Sequence, residues 1–130
     1  MEAGMVRIPL VCVVDDDESV RESLPGLLRT LGYEAEAYAS AEGFLASPSL
    51  KRADCLILDV RMPGMTGPEL QRELAVRRPE LPIVFITAHG DESIRPRLLQ
   101  QGAVECLRKP FSEDALLGAI RTAIESSGHE

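Results

Sequence analysis

The chain reads as an α/β fold, a parallel sheet covered by helices, on two observations. Short apolar runs at residues 10–14, 55–58, 83–86 and 104–107 alternate with longer amphipathic stretches, the pattern of parallel strands joined through helices. Each of these runs is followed by polar residues: Asp15-Asp16-Asp17, Asp59, Thr87 and Lys109-Pro110. Ligands of open α/β sheets bind beyond the carboxyl ends of the strands, so one edge of this sheet collects groups suited to phosphoryl or metal chemistry.

Taken in order, residues 10–14 form the first strand. Ser19 with Glu22 three residues on makes a capping box for the first helix, which carries Val20, Leu24, Leu27, Leu28 and Leu31 as an apolar stripe. Gly32 closes it. Pro25 falls inside this helix, where about 3 kcal/mol is a typical penalty; the stripe continues past it, so a kink is expected and not a break. Residues 33–38 are half polar, as befits a sheet edge. Ser40 opens a short helix with Phe44 and Leu45, ended by Ser47-Pro48.

Residues 55–58 are uniformly apolar and read as a strand buried on both faces. Thr66 and Glu69 form a second capping box with Pro68 early in the helix, Leu70 and Leu74 face the core, and Pro79 stops the helix before the strand at 83–86. The fourth helix lies between Asp91 and Gln101; Pro96 requires it to start late or to begin with an irregular turn. After the fifth strand at 104–107, Ser112 caps a last helix with Leu116, Leu117, Ile120 and Ile124 on one face. One domain is expected over residues 1–130, with its core at about 9–124 and residues 125–130 as a tail or linker stub.

A length of 130 residues suffices to close one core. That core must be aliphatic, because the chain is 45% hydrophobic but only 4% aromatic, with no Trp. A net charge of −7 argues against this domain gripping nucleic acid, which calls for a basic patch. No apolar run approaches the roughly 20 residues of a membrane span, and no signal peptide is evident. Cys12, Cys55 and Cys106 are odd in number, unevenly spaced and embedded in apolar sequence, so they read as buried free thiols of a reducing cytoplasm.

The motifs Val14-Asp15-Asp16, Leu58-Asp59-Val60-Arg61-Met62-Pro63-Gly64-Met65-Thr66-Gly67, Ile86-Thr87-Ala88-His89-Gly90, Gly102-Ala103 and Lys109-Pro110-Phe111 occur in this order. Together they resemble the receiver domain of bacterial two-component response regulators, over residues 9–124. The wording of the 61–67 loop and of Thr87-Ala88-His89-Gly90 is most similar to the nitrogen-fixation-regulator branch, whose receivers usually precede a helix-turn-helix DNA-binding domain.

The resemblance implies a flavodoxin-like, doubly wound five-stranded parallel sheet in the order 2-1-3-4-5 with helices on both faces. It implies phosphorylation of Asp59 by a histidine kinase. Magnesium would be held by Asp16 directly, by Asp15 through water, by Asp59 and by the backbone carbonyl of Arg61. Asp17 is the spare acid, either assisting the metal or continuing into the helix cap. Thr87 would donate its hydroxyl to the phosphoryl group, and Lys109 would pair with a phosphoryl oxygen and, before phosphorylation, with Asp59. A cis Lys109–Pro110 bond is usual in the family. Ala88 leaves the phosphoryl group accessible, and His89 and Arg61 flank it.

Phosphorylated members of this branch typically pair through the fourth helix and fifth strand, which here puts Leu98, Gln101 and Arg108 near a homodimer contact. Cys106 stands where receivers usually carry Tyr or Phe. The expected role is a cytoplasmic signalling switch controlling transcription through a domain outside this chain, with a stand-alone receiver as the alternative. A haloacid-dehalogenase-type phosphatase would need a second Asp two residues after the nucleophile, where this chain has Arg61. A flavin carrier would need a phosphate loop after the first strand, where Asp15-Asp16-Asp17 would repel the phosphate.

Overall fold

The computed structural model describes residues 7–88 and 91–127. In chain order it contains β1 (Leu10–Val14), α1 (Glu18–Thr30), β2 (Glu34–Tyr38), α2 (Ala41–Leu45), α3 (Ser49–Arg52), β3 (Cys55–Asp59), α4 (Gly67–Arg77), β4 (Ile83–Thr87), a 3₁₀ turn (Glu92–Ile94), α5 (Arg95–Gln100), β5 (Glu105–Arg108) and α6 (Glu113–Ser127). The five strands pair in parallel in the order β2-β1-β3-β4-β5, which is the order the resemblance implies. Reversal of strand order beside β1 opens the crevice at which doubly wound sheets place their ligands.

Strands β1, β3 and β4 are buried at every position, as unbroken apolar runs require when helices cover both faces. Alternate residues then feed two aliphatic layers. Cys12, Val14, Leu56, Leu58 and Phe85 meet Phe44, Leu70, Leu74 and Leu98 on one face. Val11, Val13, Ile57, Val84 and Ile86 meet Leu24, Leu28, Leu116 and Ile120 on the other. Edge strand β2 is half polar and pairs with β1 alone. All three cysteines are free and buried. Burial pushes the Cys12 and Cys55 thiols up to about 12, which makes them inert.

Helix boundaries follow local chemistry, with several corrections to expectation. The first helix is capped by Asp17, whose carboxylate accepts from the backbone and hydroxyl of Ser19 at 2.9 and 2.8 Å. Asp17, not Ser19, takes the cap because its own amide is already turned onto Asp15 Oδ1, 2.9 Å away, so the helix starts at Glu18. It then runs through Pro25 without a break. Helix α3 was not anticipated; it is four residues anchored by Ser49 and Leu50. Thr66 and Glu69 form the expected capping box. Pro96 sits in the first turn of α5, which the 3₁₀ turn precedes, so both anticipated irregularities are present.

Two further features depart from expectation. Leu98 is fully buried, because the six-residue α5 has few other apolar side chains with which to hold the sheet; it cannot lie at a surface contact, whereas Gln101 and Arg108 are exposed. The expected tail boundary at residue 125 falls inside α6, which continues to Ser127. Ser126 Oγ bonds back to the Ala123 carbonyl at 3.1 Å, a bond compatible with helical backbone. Among the described residues no helix is long and apolar enough to cross a membrane.

Candidate functional site

The sheet register brings the acids together. Val14 pairs with Leu58, so Asp15 and Asp59 emerge side by side one residue further on. Carboxylate oxygens of Asp15, Asp16 and Asp59 all lie within 4.8 Å of one another. Asp15 is fully buried and Asp59 is 8% exposed, while Asp16 faces solvent. Asp17 is outside this cluster because it caps α1.

The backbone at the end of β3 is tightly confined. Val60 N donates to the Ile86 carbonyl at 3.2 Å, and Gly67 N donates back to the Val60 carbonyl at 3.0 Å. A Cβ on Gly67 would come within 2.3 Å of the Asp59 carbonyl, so only glycine lets α4 begin this close to the strand.

The electrostatics are those of an under-neutralised anionic pocket. Burial is the largest cause raising Asp59, the charge of Asp15 is next, and the carboxyl is pushed up to about 7 although Lys109 pulls it back. Lys109 follows β5 and is joined to Pro110 by a cis bond. Its backbone amide donates to the Thr87 carbonyl at 2.8 Å. Its Nζ lies 3.1 Å from Asp15 Oδ2, which corrects the expectation that it pairs with Asp59. The reason is burial: the fully enclosed Asp15 has the greater need of a counter-ion.

Thr87 ends β4 and is 1% exposed. Its hydroxyl neighbours the Cys106 thiol, which burial raises and Thr87 partly lowers. Cys106 packs in the same apolar layer as Phe85 and Leu98. Arg61 commits its guanidinium to Asp91. Its Nε and NH2 groups donate to the two oxygens of Asp91 at 2.8 and 2.7 Å, so a bidentate pair links the loop after β3 to the loop after β4. Sequence reading did not find Asp91, and its position just past the Thr87-Ala88-His89-Gly90 motif was the available signal. His89, expected to flank the site, lies outside the described residues.

Three carboxylates on rigid strand ends fit a hard divalent cation, which takes oxygen ligands and would relieve the repulsion that raises Asp59. Beside Asp16 a groove of about 860 Å³ opens between the loop after β3 and the 3₁₀ turn, with Met62, Pro63 and Ile94 among its apolar lining.

The family model for the response regulator receiver domain matches residues 11–121. The chain belongs to the response-regulator receiver family. Response regulator protein TmoT of Ectopseudomonas mendocina is 43% identical over 116 residues, 89% of this chain and 53% of that protein. Transcriptional regulatory protein FixJ of Azorhizobium caulinodans is 37% identical over 120 residues, 92% of this chain and 57% of that protein. The solved structure of response regulator StyR superposes with a TM-score of 0.85 at 48% identity, covering 94% of this chain and 62% of that one. The receiver spans about half the length of the curated relatives it matches.

Proposed function

We propose that Asp59 is the phosphoryl acceptor of this receiver and that phosphorylation requires magnesium at the Asp15–Asp16–Asp59 cluster. The observation that carries this reading is the convergence of those three carboxylates with Lys109 at the carboxyl ends of β1, β3 and β5. Asp16, Asp59, the Arg61 carbonyl and, through water, Asp15 would hold the ion. When bound, it neutralises charge on phosphoryl oxygens.

The chain's own part is to present an Asp59 oxygen in line with the phosphorus of a donor. As the new O–P bond forms, the donor's P–N bond to a kinase histidine breaks and the imidazole leaves with its electron pair. Thr87 donates its hydroxyl to one phosphoryl oxygen. Lys109 swings its ammonium from Asp15 toward another, as a point charge. This chemistry is confined to the protein's own phosphorylation and its hydrolysis, so the domain is a switch and not an enzyme acting on other substrates.

The partner is a sensor histidine kinase in the cytoplasm, and the output is transcription through a further domain, as the regulators among its relatives suggest. Phosphorylation promotes a homodimer on the α5–β5 face with Gln101 and Arg108 near the contact. Acetyl phosphate with magnesium should add one phosphate by intact mass and shift sedimentation toward dimer. EDTA or Asp59→Asn should abolish both. A phosphate retained by Asp59→Asn refutes the acceptor; a fully phosphorylated monomer at high concentration refutes the dimer.

A further inference from the structure

The loop at residues 60–66 carries the Arg61 carbonyl, and its two ends are tied by local bonds. Val60 is fixed to β4 through the Ile86 carbonyl, and Thr66 is fixed by its capping box. Between these ties the chain turns at Gly64, whose φ is +74°. Here a side chain from another element intervenes: Glu42 Oε2 accepts from the Met65 amide at 3.1 Å. A Cβ on Gly64 would stand 3.0 Å from the same oxygen, so the carboxylate lies directly against the turn.

Glu42 is exposed, but the helix that carries it is not free to move. Ala41 and Phe44 on either side are both 0% exposed, and Ser40 caps α2 by accepting from Gly43 N at 3.0 Å. The carboxylate therefore projects from a fixed post onto a loop that is otherwise pinned from beneath. Met62 is buried in the apolar layer and Met65 packs against it. The two methionines hold the loop by flexible apolar contacts, which limit its height but not the direction of its peptide groups. A charge-assisted hydrogen bond to the Met65 amide supplies that direction.

We infer that Glu42 is a positioning residue for phosphoryl transfer: by holding the Met65 amide and the Gly64 turn, it fixes the loop that presents the Arg61 carbonyl to the metal. This rests on the proposed magnesium site. Groups that orient a metal's ligands typically contribute ten- to a hundredfold in affinity. An exposed carboxylate acting through loop backbone belongs at or below the lower end of that range.

The test compares wild type, Glu42→Ala and Glu42→Gln as full chains. Amide exchange at Met65 is measured in metal-free protein, and magnesium affinity by calorimetry. Because Gln keeps the acceptor oxygen and loses the charge, it separates the hydrogen bond from the field of the carboxylate. Glu42→Ala should speed Met65 exchange about tenfold and raise the magnesium Kd about three- to tenfold, with Tm nearly unchanged. Glu42→Gln should return both towards wild type. Unchanged exchange and Kd in Glu42→Ala overturn the inference, as does Glu42→Gln behaving like Ala. Wild-type protein that binds no magnesium overturns the parent reading and this inference with it, whereas wild-type binding left intact in Glu42→Ala overturns the inference alone.

Discussion

Lys109 Nζ stands 3.1 Å from Oδ2 of Asp15, and this pair joins the end of β5 to the end of β1 across the whole acidic pocket. The cation is committed to the fully buried acid, leaving Asp59 the less neutralised of the two. Removing Lys109 should therefore act mainly through repulsion. Lys109→Ala is expected to cost about 1–3 kcal/mol at pH 8, below the 3–5 typical of fully buried pairs because the lysine is partly exposed. Asp59 would hold its proton more firmly without that cation, so the loss should shrink at pH 5. Urea unfolding at the two pH values checks this, and a loss equal at both would count against repulsion as the cause.

Asp59 also sets a pH dependence of its own. Its folded value of about 7 lies above the unfolded 3.8, so the native state binds more protons between those limits. Stability of the metal-free protein should fall as pH rises from about 4 to about 7 and then level off. Asp59→Asn lacks this proton and should be more stable than wild type by on the order of 2–4 kcal/mol above pH 7, with the gap closing near pH 4. Unfolding curves in EDTA across this range decide it; a gap independent of pH would reject the assignment of strain to this carboxyl.

Asp16 and Asp17 are adjacent in sequence but divided in role. Asp16→Ala should weaken magnesium binding far more than Asp17→Ala. Asp17→Ala should instead lower stability through loss of the α1 cap. Titration calorimetry beside urea unfolding separates the two effects, and equal losses of metal affinity would show that the acids act collectively.

Cys106 fills, in the apolar layer behind Thr87, a place that in most of the family holds a ring. A small thiol cannot follow a moving hydroxyl by rotating into the space it leaves, so the response to phosphorylation is expected to run through the loop after β4 and the Pro96 turn. Cys106→Ser should then leave phosphorylation and dimerisation nearly intact. Thr87→Ala should still take phosphate on Asp59, slowed by no more than about tenfold for one lost neutral hydrogen bond, while chemical-shift changes in α5 shrink. Loss of those changes in Cys106→Ser, with phosphorylation normal, would make the thiol part of the switch.

Much of the fold was legible because its signals are local or periodic. The runs at 10–14, 55–58 and 83–86 could only be buried strands, and Thr66-Gly67-Pro68-Glu69 spells out its own cap. The acid cluster was legible too, since strand ends in a parallel sheet share one edge. What escaped was short or non-local. Four residues at 49–52 are too few to show a helical period, and six in α5 are too few to tell whether Leu98 faces in or out. The ends of β1, β3 and β5 meet in one place, so sequence alone could not choose between Asp15 and Asp59 as the partner of Lys109. The Arg61–Asp91 and Glu42–Met65 contacts join residues 30 and 23 positions apart and leave no periodic trace.

Borohydride reduction locates the phosphate on the chain without relying on any substitution. Reduction converts an acyl phosphate on an aspartate to the side chain of homoserine, which peptide mass mapping can place to the residue. After incubation with acetyl phosphate and magnesium, homoserine is expected at position 59 and at neither 15 nor 16. Homoserine at position 15 or 16, or phosphate recovered elsewhere with position 59 unchanged, would contradict it.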